Sequence, residues 1–213
     1  NPKSGLLKAI LCNTATDKGN AGPDFENGFG WINPQRAVAV LEQGQYYSGS
    51  LSFPGNQTQT ITVPAGTKRL KVMLYWHDRE GSPLAVTELV NDLDLTVTDG
   101  VTPYEPWKLN PAPGSVTAAA VRSADHLNNI EQVTIDNPGS SVTIDVTAFN
   151  IPVGAQEYFV VYDFVADDLK VLHPYGGEHF STFSTSARQE MISWEANDNS
   201  TNTFTLEYST DNG

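Results

Sequence analysis

Between residues 46 and 165 apolar side chains recur at every second position. Leu70, Val72, Leu74 and Trp76 alternate with Lys71, Met73 and Tyr75. Leu93, Leu95 and Val97 alternate with Asp92, Asp94 and Thr96, and Val142, Ile144 and Val146 with Thr143, Asp145 and Thr147. Successive side chains of a strand point to opposite faces, so each run predicts a strand with one buried face. Tyr158 to Phe164 is apolar at both parities, the pattern of a central strand. Pro54-Gly55-Asn56, Pro64-Ala65-Gly66 and Asn137-Pro138-Gly139 punctuate the runs as turns. About seven or eight strands over this length predict a mainly β fold, an antiparallel sandwich of jelly-roll type. The Pro-rich stretch from Gly100 to Asp125 reads as an excursion between strands.

The period is different on either side. Residues 1–45 read as two helices: Pro2 suits a first helical position, Asn1 can cap, and Leu6, Leu7, Ile10 and Leu11 form an apolar stripe. Asn33-Pro34 opens the second helix, Ala37, Val38 and Leu41 lie on its face, and Gly44 stops it. Two helices bury little alone, so this segment is expected to pack against something larger. After the polar joint Asp167-Asp168, residues 166–213 read as the start of a third unit. Strands are expected over Leu169–His173, Glu190–Trp194 and Thr203–Tyr208, followed by a turn signal at Asp211-Asn212-Gly213. Three strands do not make an independent sandwich, so this unit reads as cut short. A start at Asn1-Pro2, without methionine, likewise reads as that of an excised piece.

Charge narrows the partners. The 213 residues carry 25 acidic against 12 basic side chains, a net charge of −13. That field disfavours nucleic acid and anionic membranes and is compatible with cation binding and with life outside the cell. No apolar run approaches the length of a membrane span. A single cysteine, Cys12, excludes a disulfide within the chain and reads as a buried, inert thiol.

The acidic residues are unevenly placed. Asp92 and Asp94, two apart on one strand, share a face about 6.5–7 Å apart. Asn91 adjoins them, Asp78 closes the preceding strand, and Asp125, Asn128, Asn129 and Glu131 cluster downstream. Hard oxygens of this kind suit Ca²⁺, which takes six to eight of them. The same residue types also cap turns and face water without an ion. Trp76, Trp107, Tyr104, Tyr46 and Tyr47 would serve either as a sugar-stacking platform or as packing, and the parity of Trp76 favours packing. Asn56-Gln57-Thr58 and Asn199-Ser200-Thr201 match the glycosylation sequon, which in a protein of bacterial aspect reads as incidental.

Two stretches carry a family resemblance. Leu7-Lys8-Ala9-Ile10-Leu11 and the run from Gly22-Pro23-Asp24-Phe25-Glu26-Asn27-Gly28-Phe29-Gly30-Trp31 to Ile32-Asn33-Pro34-Gln35-Arg36-Ala37-Val38 resemble the last two helices of subtilisin-like serine protease catalytic domains. Trp76-His77-Asp78, Leu89-Val90-Asn91-Asp92-Leu93-Asp94-Leu95, Asn128-Asn129-Ile130-Glu131 and Ala148-Phe149-Asn150-Ile151-Pro152 are similar to the jelly-roll domain that follows the catalytic domain in the alkaline, oxidation-resistant subtilisins. That domain is distantly similar to the P-domain of the kexin and furin proteases. Pro174-Tyr175-Gly176-Gly177-Glu178, Ile192-Ser193-Trp194 and Leu206-Glu207-Tyr208-Ser209 are similar to extracellular immunoglobulin- or fibronectin-like repeats. The resemblance implies a secreted or cell-surface accessory piece of a serine endopeptidase. It would stabilise an upstream catalytic domain or help present the polypeptide substrate.

The resemblance also tilts the acidic cluster towards calcium, because related jelly rolls bind it. It carries over no catalytic residue: the family's Ser, His and Asp motifs would precede residue 1. His77, His126, His173 and His179 lie among strand ends and loops, and a triad needs geometry rather than inventory. Two other readings compete with the protease piece. One is a carbohydrate- or cell-surface-binding module, marked by an exposed aromatic strip. The other is a structural spacer, with neither ion nor concave site.

Overall fold

The computed structural model describes residues 2–166, 170–174, 191–195 and 204–207. The chain divides into two compact units, Asn1–Ala166 and Asp167–Gly213. In the first, two helices, α1 (Ser4–Asn13) and α2 (Pro34–Glu42), precede ten strands. The strands are β1 (Tyr46–Leu51), β2 (Asn56–Thr62), β3 (Thr67–Trp76), β4 (Asp92–Asp99), β5 (Thr102–Tyr104), β6 (Trp107–Lys108), β7 (Val121–Arg122), β8 (Ile130–Asp136), β9 (Ser141–Asn150) and β10 (Gln156–Ala166).

Eight of them form two antiparallel sheets, in the orders β1-β10-β3-β8 and β2-β9-β4-β5. The chain changes sheet at almost every step, which interleaves two Greek keys and makes a jelly roll. The short pair β6 and β7 lies within the excursion after Gly100. Leu70, Val72, Leu74, Leu93, Leu95, Val97, Val142, Ile144 and Val146 fill the space between the sheets, as the period-2 runs predict.

β3 and β10 are buried on both faces because the helices cover the outside of their sheet. Met73, Tyr75, Phe159 and Val161 point outward and meet Leu6, Ala9 and Ile10 of α1 and Ala37 and Val40 of α2. The double-sided apolar pattern therefore marks strands roofed by helix. The helical stripes are rotated relative to expectation. Leu6, Ala9 and Ile10 face the sheet while Leu7 and Leu11 are each 40% exposed, and on α2 Val40 is buried while Val38 is exposed. Ala9 and Ala37 are buried against the cluster of Met73, Tyr75, Phe159 and Val161, and that packing sets which flank turns inward. α1 begins at Ser4 after an extended Lys3, with no side-chain cap. Asn1 lies outside the described residues. Asn33 does cap α2, accepting from the Arg36 N–H, with Pro34 at the first helical position.

Polar groups hold this roof in register. Arg36 grips Asp163 of β10 with a fork: Nε donates to Oδ2 at 3.1 Å and Nη2 to Oδ1 at 2.8 Å. Asn13 donates to the carbonyls of Lys71 and Val161 and accepts from Gln132. In the loop between the helices, Gly30 (φ 105°) has no room for a side chain, since a Cβ would stand 2.0 Å from the Thr16 carbonyl oxygen. That contact permits the backbone bridge between Thr16 and Trp31.

In the second unit, β11 (Lys170–His173) pairs antiparallel with β12 (Ser193–Glu195), and the ring of Trp194 lies against Phe204. Residues 204–207 form no strand. Residues 175–190 with His179, residues 196–203 with Asn199, and residues 208–213 lie outside the described residues.

Candidate metal centre

β4 pairs with β9 along its length, but β5 accompanies it only from Val97 to Asp99. From Asp92 to Thr96 its other edge has no strand partner among the described residues. The backbone N–H of Leu95, on that bare edge, is taken instead by Glu131 of β8, whose Oε2 accepts it at 2.6 Å. Glu131 shares the inward parity of Val133 and Ile135 and is 1% exposed. Its second oxygen, Oε1, accepts no hydrogen bond. Burial pushes the carboxyl well above the ordinary range, and the charges of Asp94, Asp125 and Asp92 push the same way.

The loop before β8 folds over this corner. His126 stacks on Phe149 at 3.9 Å between ring centroids, which fixes the plane of the imidazole. Its Nδ1 then lies 2.9 Å from Asp92 Oδ2 and 3.5 Å from Asp94 Oδ1. One ligand atom from each of the three residues falls within 4.8 Å of the others, the single such group among the described residues. Burial raises the pKa of Asp92, His126 opposes the shift, and Asp94 reinforces it. Asp94 is raised by burial too, again opposed by His126. Two carboxylates and an imidazole, to which no Lys or Arg among the described residues is bridged, form an anionic pocket suited to a divalent cation.

The structure divides the eight residues that the sequence nominates. Asp92 and Asp94 meet at the corner with His126, and Glu131 and Asp125 lie near enough for their charges to act there. Asp125 has both oxygens engaged, accepting from the Leu127 N–H and the Asn128 amide. It shapes the loop that carries His126. Asp78 is a clasp, with its two oxygens accepting from the N–H groups of Val90 and Asn91. Asn91 is a buried node that donates to Val153 O and Gln156 Oε1 and accepts from Val153 N. Asn129 donates to Trp76 O. These amides organise strand ends. His126 is the residue that sequence reasoning left out of the group. Its place between Asp125 and Asn128 was the available signal.

Two other constellations are resolved. Ser4 Oγ lies 3.4 Å from His77 Nε2, but the other ring nitrogen faces the Tyr75 hydroxyl at 3.1 Å, where a triad would place a carboxylate. The five aromatics do not share a surface. Trp76 is in the interior with its indole N–H on Asn91 O. Tyr47 and Tyr104 pack on that same core, and Tyr46 lies under the helices. Trp107 is covered by the Arg122 guanidinium at 3.6 Å. Cys12 is half-buried at the edge of the roof, and burial raises its pKa.

No helix among the described residues is long and apolar enough to cross a membrane. No family model matches the chain. It is similar to the serine protease/ABC transporter B family protein tagA of Dictyostelium discoideum, 27% identical over 177 residues. The match covers 75% of this chain and 10% of that protein, so the chain spans about a tenth of its relative's length. Among solved structures it overlaps the pre-peptidase C-terminal domain of a collagenase from Bacillus anthracis at 11% identity and a TM-score of 0.33, covering 55% of this chain and 87% of that one. An overlap at that score is too partial to bear on function. The chain is thus a jelly-roll sandwich, similar in sequence to a small part of a protein named as a serine protease.

Proposed function

We propose that this chain is a non-catalytic accessory module of a secreted, subtilisin-like serine endopeptidase. Residues 1–45 would be the closing helices of the catalytic domain and the jelly roll its C-terminal support. The observation that carries the reading is the similarity to a serine-protease-named protein, which runs across three quarters of this chain. The surface of the helical segment supports it. Beyond the residues that meet the sheet, Leu7, Leu11, Phe25, Trp31, Ile32 and Val38 stand exposed, with Trp31 68% and Ile32 63% accessible. Apolar side chains in such number mark a surface made for another protein surface. The upstream protease domain is the partner this reading assigns to it, and the polypeptide substrate is that domain's.

A divalent cation at the corner of Asp92, Asp94 and Glu131 belongs to the same reading, as an element that stiffens the support. Calcium is the ion that oxygens alone would select.

The test uses the full polypeptide that carries this chain. Trp31→Ser with Ile32→Ser should lower the melting temperature of its protease activity by several degrees. In the isolated chain the same pair should change stability by less than about 0.5 kcal/mol, as surface changes do. The isolated chain should hydrolyse neither casein nor small anilides. An unchanged parent, or turnover by the chain that a serine-directed inhibitor blocks, refutes the reading.

A further inference from the structure

We propose that Asp92, Asp94 and His126 hold one zinc(II) ion, with the free oxygen of Glu131 beside it. The inference rests on the reading of this corner as a cation site and is independent of the protease partner.

A cluster of acids alone would not support it, since solvated carboxylates commonly gather without an ion. This corner is different because part of it is dry. Glu131 is 99% buried, since its exposure is 1%, and its Oε1 accepts no hydrogen bond. Asp92 is 6% exposed and its Oδ1 is equally unpartnered. An anionic oxygen withdrawn from water without a donor carries a desolvation cost, which a proton or a counter-charge relieves. No Lys or Arg among the described residues forms a salt bridge with any of the three acids.

The spacing fits a small tetrahedral ion. Bonds of about 2.0–2.2 Å in tetrahedral geometry put neighbouring ligand atoms about 3.3–3.5 Å apart. Of the two separations from His126 Nδ1, 3.5 Å to Asp94 matches that value, and 2.9 Å to Asp92 is shorter and opens to it by a small movement of the side chains. Phe149 holds the ring, and Nδ1 is buried while the imidazole as a whole is 37% exposed, so an ion reaches the site from the surface.

Ligand chemistry chooses the metal. An imidazole nitrogen suits zinc and its neighbours, whereas calcium and magnesium take oxygen. Calcium would also need six to eight oxygens. Asp78, Asn91 and Asp125 have theirs engaged by N–H donors, which leaves three carboxylates at the corner. Bound there, zinc would tie the bare edge of β4 to the His126 loop and the start of β8.

The intact chain, stripped with chelator, is titrated with zinc and with calcium in a calorimeter, and with cobalt(II) as a coloured substitute. One equivalent of zinc should bind, and cobalt should show the intense visible bands of a tetrahedral site. His126→Ala and Asp94→Asn should each weaken zinc by at least about a hundredfold, above the 10–100-fold loss typical of groups that only support a ligand. His77→Ala should leave the affinity unchanged. Millimolar calcium should neither compete nor raise the melting temperature. Calcium binding that survives His126→Ala overturns zinc while leaving a cation site. Binding of neither ion overturns the cation site as well, and zinc affinity unaltered by His126→Ala reduces it to a surface contact. The cobalt spectrum of the unsubstituted chain decides the matter even if a variant misfolds. None of these outcomes alters the docking test on Trp31 and Ile32.

Discussion

Asp163 and Glu131 are both buried acids on neighbouring regions of one sheet, and they are solved in opposite ways. Asp163, beneath the helical roof, meets the Arg36 fork, which supplies charge and hydrogen bonds to both oxygens. Glu131, at the open corner, has one backbone N–H, three acidic neighbours and a bare oxygen. The first arrangement is complete within the chain. The second leaves one carboxylate oxygen without a hydrogen-bond partner. Burial of an acid is therefore not informative by itself; whether its counter-charge is covalently part of the fold tells structure apart from a binding site.

The largest effect should come from breaking the complete pair. Arg36→Ala strands Asp163, 6% exposed at its side chain, and should cost about 3–5 kcal/mol in urea unfolding. Arg36→Met combined with Asp163→Leu should recover most of that loss, because a well-packed apolar pair can replace a buried ion pair. Next in size, Ile10→Ala beneath the roof should cost about 2–5 kcal/mol. Leu11→Ala, one residue on and 40% exposed, should stay within about 0.5 kcal/mol.

The smallest effect should reverse in sign. Glu131→Gln keeps an acceptor for Leu95 and removes a charge, so in metal-free protein it should raise the melting temperature at pH 8. The folded pKa of Glu131 lies above its unfolded value. The native chain therefore takes up a proton that the unfolded chain does not, and wild-type stability rises as pH falls through the folded pKa, levelling below the unfolded value of about 4.3. The advantage of the variant should shrink towards pH 5. Added zinc should turn it into a disadvantage. A melting series in pH with and without zinc measures both.

The sandwich was legible because strand parity is a local property: Leu93, Leu95 and Val97 or Val142, Ile144 and Val146 declare their inner face without knowledge of their partners. The helical faces were less so. Leu6 and Ile10 were read correctly, but Leu7, Leu11 and Val38 were assigned inward although the seat on Met73, Tyr75, Phe159 and Val161 selects Ala9, Ala37 and Val40. Short helices carry too few residues to fix that rotation without the surface they meet. Of the candidate site, Asp92 and Asp94 were visible from their spacing and Glu131 from its acidic neighbourhood. That Asp78 and Asn91 would spend their oxygens on backbone N–H groups depends on contacts 12 or more residues away. His126 enters the site through a loop and a stacked Phe149, and neither leaves a periodic trace.

The bare stretch of β4 has a bearing on how the protein behaves in a crowd. A strand with an open edge is a template on which other chains add. Here the template is spoiled from inside: the Leu95 amide is already occupied by the Glu131 carboxylate, and Asp92 and Asp94 bring two more acids to the same strand. A foreign strand would have to evict a carboxylate and settle among like charges. The acidic corner thus sets this edge against the addition of a further strand.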